Sequence, residues 1–293
     1  MTAWCWTVFP PVGEGDLGPS GIVVRKERVY RTTPGYRATL DVYFPPADAG
    51  PTASRWRRTA LLAIHGGSWC GGSKRWFRAD PRNSTILRLA RAGLVVIAVD
   101  YRLARPGSPS WEAALDDVRE AVRWTRRNAP DLGIDPDRIV ALGQSSGAHL
   151  ATLLGTLPDP GAPDGVSSRV AAVISFYGPS DLDALIRTRR LAHDPIPTFL
   201  GEASASKASP IHHVTPDDAP MLLFHGTDDL WVPIQQSERL AAALQQHGVR
   251  HRLVRVPGAR HGFEAPVTPP QEPNPVLDEI FAFLESVWNV GLR

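Results

Sequence analysis

Ile139-Val140-Ala141-Leu142-Gly143-Gln144-Ser145-Ser146-Gly147-Ala148-His149-Leu150 is the stretch on which the reading of this 293-residue chain turns. Four apolar residues in a row predict a strand buried on both faces, and Ala148 to Leu154 predicts a helix directly after it. Between them lies Gly-x-Ser-x-Gly, so Ser145 falls on a sharp strand-to-helix turn with a glycine two residues away on each side. In a chain with 25 glycines the bare pattern carries little weight; the strand before it and the helix after it supply the weight. A Cβ at Gly143 or Gly147 would crowd the neighbouring strand and helix, which is why such a turn calls for glycine at both places.

A serine hydroxyl is almost wholly protonated at neutral pH and needs a base to become a useful nucleophile. Two loops downstream supply the partners, each after a predicted strand. His225-Gly226-Thr227-Asp228-Asp229-Leu230-Trp231-Val232-Pro233 follows Met221–Phe224, and Pro257-Gly258-Ala259-Arg260-His261-Gly262-Phe263 follows Leu253–Val256. The order is Ser145, an aspartate, then His261 as base. Asp228 and Asp229 are neighbours, and only one can face His261 on a given loop geometry. Upstream, His65-Gly66-Gly67-Ser68-Trp69 follows the apolar run Leu61–Ile64. Its backbone N–H groups at Gly67 and Ser68, with that of Ser146, form a predicted oxyanion hole, and Gly66 is expected to permit the turn.

These segments, with Asp100-Tyr101-Arg102-Leu103, Ala208-Ser209-Pro210 and Gln235-Gln236-Ser237, resemble the α/β-hydrolase esterases that carry an HGG-type oxyanion loop. The likeness is to the carboxylesterase and feruloyl-esterase-like branch near the hormone-sensitive-lipase group, and runs from about Tyr36 to Leu284. It implies an α/β-hydrolase fold and a triad of Ser145, Asp229 and His261. Similar esterases carry the acid at the fourth position after the histidine of this loop and three before a Val-Pro pair, which selects Asp229 over Asp228. Asp228 is then a solvated loop residue or a helix cap. Many relatives have a third glycine where this chain has Ser68, and a side chain there bears on how much acyl bulk the loop admits. The implied activity is hydrolysis of short-chain acyl or aryl carboxylic esters through an acyl-enzyme intermediate, on a small-molecule ester and without a cofactor. An arylformamidase resembles the same branch in its HGG loop and its Gly-x-Ser-x-Gly-Ala-His-Leu run, and is the second reading. A prolyl-oligopeptidase-like peptidase fits less well, because the chain is too short for a gating propeller. A non-catalytic binding module would be expected to have lost a triad member.

Composition bounds the rest. At 43% hydrophobic and 21% charged the chain can build one sizeable core. Its formal charge of +2 is no basic field, so nucleic acid is not an expected partner. Lys26, Lys74 and Lys207 are the only lysines, which leaves arginine to supply the surface cations. Cys5 and Cys70 cannot make a disulfide framework, and a reduced thiol is expected. No metal is expected, since neither H-E-x-x-H nor C-x-x-C occurs, and Gly71-Gly72-Ser73-Lys74 lacks the spacing of a phosphate-binding loop. No window approaches the roughly 18–20 apolar residues of a membrane helix. The first residues show no positive segment before an apolar core, so no secretory signal is expected and the cytoplasm is the default location. Oligomeric state is left open.

Along the chain, residues 1–21 are rich in glycine and proline and read as an extended arm bearing Trp4, Trp6 and Phe9. Residues 22–293 read as one α/β domain. Ile22–Tyr30 and Tyr36–Phe44 alternate like an antiparallel pair at a sheet edge. The runs Leu61–Ile64, Leu94–Val99, Ile139–Leu142, Val170–Ile174, Met221–Phe224 and Leu253–Val256 predict a mostly parallel sheet with helices on both faces. Trp111, Ala114, Leu115, Val118, Val122 and Thr125 share one helical face that ends at Asn128 and Pro130. Further helices are predicted over Gln235–His247, stopped by Gly248, and around Val276–Val287. Residues 178–220 are a candidate small cap whose Arg187, Arg189, Arg190, Pro195 and Pro197 leave no long apolar helix to line a lipid-length tunnel. Of the other histidines, His65 and His225 are expected to hold loops and His149 to be packed. His193, His247 and His251 read as surface residues, and the adjacent His212 and His213 are expected to point apart. Trp69, Trp76, Phe77 and Trp231 are expected to pack in their own loops, with a place around the site mouth as the alternative.

Overall fold

Continuous apolar runs, rather than alternating ones, require a sheet covered on both faces, and eight strands form one in the order β1-β2-β4-β3-β5-β6-β7-β8. They are β1 (Val23–Thr33), β2 (Tyr36–Phe44), β3 (Ala60–Ile64), β4 (Val95–Val99), β5 (Ile139–Gln144), β6 (Ala172–Phe176), β7 (Met221–Gly226) and β8 (His251–Val256). The computed structural model describes residues 21–47, 49, 55–78, 85–188, 194–263 and 275–288. The predicted N-terminal arm, apart from Gly21, and His193 lie outside the described residues. β1 and β2 are antiparallel, as expected of the edge pair, and β2 runs antiparallel to β4. Every other pairing is parallel. β3, β4, β6 and β7 are buried at every residue, whereas edge strand β8 is nowhere fully buried.

Side chains alternate between two cores. Leu62 and Ile64 of β3 face one that holds Val118 and Val122 of α2 (Trp111–Arg127), Leu150 of α4 (Ser146–Thr156) and Leu240 of α7 (Gln235–Gln246). Leu61 and Ala63 face the other, with Ile86 of α1 (Thr85–Arg91) and Ile280 and Phe283 of α8 (Pro275–Trp288). α2 ends at the predicted Asn128; the chain then adds one short turn, α3 (Ala129–Leu132), with Pro130 in its first turn and Gly133 closing it at φ 67°. The insertion between β6 and β7 carries α5 (Leu182–Thr188), α6 (Pro195–Leu200) and a 3-10 turn at Pro210–His213. Its Leu182, Leu185, Ile196 and Phe199 are buried in the same core as α4, so it is packed into the body at these points. Among the described residues no helix is long and apolar enough to cross a membrane.

Parallel register brings the functional loops together. Ile64 pairs with Gly143, Gln144 with Phe176, Phe176 with Phe224 and Gly226 with Val256. The loops after β3, β5, β6, β7 and β8 therefore emerge side by side at one edge of the sheet.

Helix α4 is buried along its whole length. A Cβ added at Gly147 would stand 2.2 Å from the Ile64 carbonyl oxygen, while one at Gly165 would meet nothing within 4 Å. Gly147→Ala is expected to lower stability by at least about 2 kcal/mol, from backbone overlap, and Gly165→Ala by about 1 kcal/mol, from left-handed strain alone. Paired urea denaturation curves check the ranking.

Burial pushes the His149 imidazole down to about 4 and lowers that of His65 as well. Over the window from about pH 6.5 down to about 4 the unfolded chain binds the proton and the folded one does not. Stability is therefore full above about pH 6.5 and is lost as pH falls toward 4, by roughly 3 kcal/mol for His149. Urea unfolding at stepped pH measures the slope, and His149→Gln is expected to flatten its share.

Candidate active site

Ser145 sits at φ 51°, ψ −118°, a backbone conformation that non-glycine residues rarely adopt. The glycines around it are there for close approach. A Cβ on Gly143 would stand 2.2 Å from the Gly147 carbonyl oxygen, and one on Gly147 would also meet the His65 oxygen at 2.4 Å. The turn is tied down at both sides: Ser145 N–H donates to Phe176 O at 2.9 Å, and His149 N–H donates to Ser145 O at 3.0 Å.

His261 lies 116 positions from Ser145 and 32 from Asp229, and the loops bring all three together. Its Nε2 is 3.0 Å from Ser145 Oγ and its Nδ1 is 2.7 Å from Asp229 Oδ2. An ionised carboxylate only accepts, so Nδ1 carries the hydrogen and Nε2 presents its lone pair to the serine. The other oxygen, Asp229 Oδ1, accepts the N–H groups of Trp231 and Val232, both at 2.9 Å. Burial alone would raise the Asp229 pKa. Hydrogen bonds from His225 and His261, with the attraction of His261, outweigh it and hold the carboxyl well below the usual carboxylate range.

His225 explains how Asp229 is aimed. Its Nε2 lies 2.7 Å from the Val232 carbonyl, which can only accept, and 3.5 Å from Asp229 Oδ2. Its Nδ1 then accepts from the Ser237 hydroxyl at 2.7 Å. This fully buried histidine pins the loop from both ends, as expected of it. Asp228 is exposed; its carboxylate accepts from the Thr227 hydroxyl at 3.0 Å and caps no helix. Behind His261 stands Tyr177, with ring centroids 4.6 Å apart, on a backbone at φ 44°. Nothing in the sequence marked it.

The loop after β3 folds differently in one respect from the expectation. Gly67, at φ 114°, makes the turn, and its carbonyl accepts the N–H groups of Cys70 and Gly71 at 3.1 and 2.9 Å. Gly66 serves close approach instead: a Cβ there would stand 3.0 Å from the Gln144 oxygen and 3.4 Å from Ser145 Cβ. Ser68 and Trp69 follow at φ 55° and 59°. Tyr101 ties the loop to the elbow, its hydroxyl donating to His65 O at 3.1 Å and standing 3.4 Å from Ser146 Oγ. Lys74 ends the loop as a buried ammonium. Its Nζ meets Thr39 at 2.6 Å, Glu27 at 3.1 Å, Asp41 at 3.2 Å and Asp100 at 3.6 Å.

The remaining aromatic and histidine residues sort by exposure. Trp69 is 2% exposed and Phe77 is buried, so both are packing residues, while Trp76 at 40%, Trp231 at 46% and Leu230 at 87% are open to solvent. His149 is buried, donating from Nε2 to Ala208 O and accepting on Nδ1 from Trp69. His247 is exposed and His251 half-buried. Among the described residues Asp181, Asp183 and His212 bring ligand-type atoms within 4.8 Å of one another. Asp181 there accepts from Arg239 at 2.7 Å and from the Ala184 N–H at 2.8 Å, so a guanidinium already supplies the positive charge. A cavity of about 360 Å³ lined by Leu154, Thr156, Arg169, His213 and Asp217 lies at the far end of α4 from Ser145, away from this chemistry.

Comparison with known proteins agrees with this architecture. Esterase LipC of Mycobacterium tuberculosis is 32% identical over 235 residues, 71% of this chain and 56% of its own length. A probable carboxylic ester hydrolase of the same organism, LipM, is 29% identical over 276 residues, 87% of this chain and 62% of its own. The chain thus spans a little over half the length of the curated relatives it matches. Among solved structures, apo Thermogutta terrifontis esterase 2 superposes with a TM-score of 0.74 at 30% identity, covering 93% of this chain and 97% of that one. The same esterase phosphorylated by paraoxon gives 0.72 at 30%, covering 93% and 96%. Residues 40–244 match the BD-FAE family, so the chain, with its eight-stranded, mostly parallel sheet, belongs to that family of α/β-hydrolase-fold proteins.

Proposed function

We propose that this chain is a serine hydrolase that cleaves carboxylic esters through an acyl-enzyme intermediate, with Ser145, His261 and Asp229 as its triad. The observation that carries the reading is the unbroken hydrogen-bond chain from Asp229 Oδ2 through the His261 ring to Ser145 Oγ. Ser145 Oγ attacks the ester carbonyl carbon as its proton passes to His261 Nε2, and the carbonyl oxygen takes up the negative charge. Backbone N–H groups of Gly67, Ser68 and Ser146 are assigned to that oxyanion, preorganised on strained or tightly packed backbone. Collapse expels the alcohol, which leaves with the proton from His261. Water then gives its proton to His261 and attacks the acyl carbon, and collapse breaks the acyl–Oγ bond as His261 returns the proton to Ser145 Oγ, releasing the acid. Asp229 stays ionised, keeps the hydrogen on Nδ1 and stabilises the imidazolium.

The substrate side of the proposal is a small ester with a short acyl group of roughly two to six carbons, each well-buried methylene contributing up to about 0.8 kcal/mol until the pocket is full. The insertion between β6 and β7 supports this, because α5 and α6 are short and their Leu182, Leu185, Ile196 and Phe199 are spent on the core. Exposed Leu230 and Trp231 on the acid loop and Trp76 beyond the oxyanion loop offer surfaces for an aryl alcohol.

Ser145→Ala is expected to lower p-nitrophenyl butyrate turnover by about 10⁴–10⁶ with an unchanged melting curve and to abolish labelling by a fluorophosphonate probe. Normal turnover in that variant would end the nucleophile assignment. Asp229→Asn is expected to reduce kcat by about 10³–10⁴, and Asp228→Asn to leave it within about twofold. The opposite ranking in steady-state assays would move the acid by one residue. A p-nitrophenyl ester series in which kcat/KM climbs beyond about ten carbons would overturn the short-acyl reading.

A further inference from the structure

An oxyanion hole built from two chain segments works only if their separation is held, since a misplacement of about 1 Å can cost on the order of 10² in rate. Here one segment is the elbow at Ser145 and Ser146, and the other is the loop at Gly67 and Ser68. The second is strained: Gly67, Ser68 and Trp69 stand in succession at φ 114°, 55° and 59°, two of them non-glycine. Each such residue costs about 1–3 kcal/mol and persists only where its surroundings enforce it. Trp69 is where they do so. Its ring stacks on Phe199 of α6 at 4.6 Å with 14° between planes, and its carbonyl accepts the Ala104 N–H at 2.9 Å. Its indole N–H donates to His149 Nδ1 at 3.2 Å.

His149 touches both segments. Through its backbone N–H it bonds Ser145 O at 3.0 Å, and through its ring it holds Trp69. The indole can only donate and the Ala208 carbonyl, 2.6 Å from Nε2, can only accept, so the ring is held as the neutral Nε2–H tautomer. Burial, which lowers its pKa to about 4, keeps it neutral through the working range. We propose that His149 is a positioning residue for the reaction, setting the separation of the two oxyanion-donating segments by clamping Trp69 to the nucleophile helix. Phe199 and Ala208 both belong to the insertion between β6 and β7, which makes that insertion part of the support of the oxyanion hole. The inference rests on the proposed ester hydrolysis.

The test compares wild type, His149→Leu, His149→Gln, Trp69→Phe and the His149→Leu/Trp69→Phe double variant. Each is assayed for p-nitrophenyl butyrate turnover and for binding of an alkyl trifluoromethyl ketone, whose serine hemiketal places an oxyanion in the hole. His149→Leu is expected to lower kcat about 10- to 100-fold with KM within about threefold, and to weaken ketone binding in proportion. His149→Gln, which keeps an acceptor and a donor, recovers most of the loss. Trp69→Phe, which keeps the stack but not the N–H, reproduces it, and the double variant is no worse than His149→Leu. A folded His149→Leu with kcat and ketone affinity within about twofold of wild type overturns the proposal. Where that variant fails to fold, Trp69→Phe decides on the same criterion. Ketone binding reads the hole without turnover, so a wild type that binds the ketone and hydrolyses no ester counts against the functional reading alone.

Discussion

The active edge of this protein depends on how closely helix α4 approaches strand β3. Gly147 lies against the Ile64 and His65 carbonyls, at a distance where no Cβ fits, and Gly143 lies as closely against Gly147 itself. That approach bends the chain so sharply at Ser145 that its backbone leaves the ordinary regions, and the bend is what lifts Oγ out of the sheet toward His261. It also sets the loop after β3 beside the elbow, with a Cβ on Gly66 only 3.4 Å from that of Ser145. Ser145 and the loop after β3 are thus positioned by one packing contact in a region buried along a whole helix.

A second constraint is electrostatic and reaches the opposite side of the loop. The Lys74 ammonium is 1% exposed and meets carboxylates from β1, β2 and the end of β4, while the Lys74 backbone N–H donates to Asp100 Oδ1 at 2.7 Å. A register shift in β1 between Arg25 and Arg28 puts Glu27 at φ 51°, where its N–H bonds Asp41 Oδ1 at 2.9 Å. The antiparallel edge pair is in this way fastened to the loop after β3. Asp41 is wholly buried, so losing the lysine would leave buried negative charge with much less compensation, and such a loss is far more damaging than the net worth of the ion pairs.

Most of the fold could be read from residue order because parallel strands buried on both faces leave apolar runs that no alternating pattern imitates. All six predicted body strands form, with β6 starting two residues later than Val170 and β1 extending to Thr33 because its pairing continues to Tyr36. The site was partly legible for a related reason: its three polar residues each follow a strand end, and strand ends in a parallel sheet share one edge. What stayed hidden depends on three-dimensional contact. Gly66 and Gly67 are adjacent letters with different neighbours: Gly67 turns the chain at positive φ against Gly71, and Gly66 approaches Gln144 and Ser145. Lys74 is one of only three lysines, and nothing in its local sequence shows that carboxylates from two strands and the end of a third converge on it. Tyr177 and the Trp69–His149 bond lie in apolar or mixed segments where nothing in the composition distinguishes a wall of the site from ordinary core.

Strain is distributed in a way that ties these observations together. Among the described residues five that are not glycine have positive φ: Glu27, Ser68, Trp69, Ser145 and Tyr177. Four of the five stand just beyond the C-terminal ends of β3, β5 and β6, around Ser145 and His261, and the fifth serves the lysine that anchors the loop after β3. A folded domain tolerates several such conformations together only where rigid neighbours enforce them. The enforcing elements here are strands buried at nearly every residue and a helix with no exposed side. The interior of the sheet is therefore more than a scaffold of stability: its close packing is what allows a serine, the loop after β3 and the ring behind the histidine to be held in geometries their local sequence would not choose.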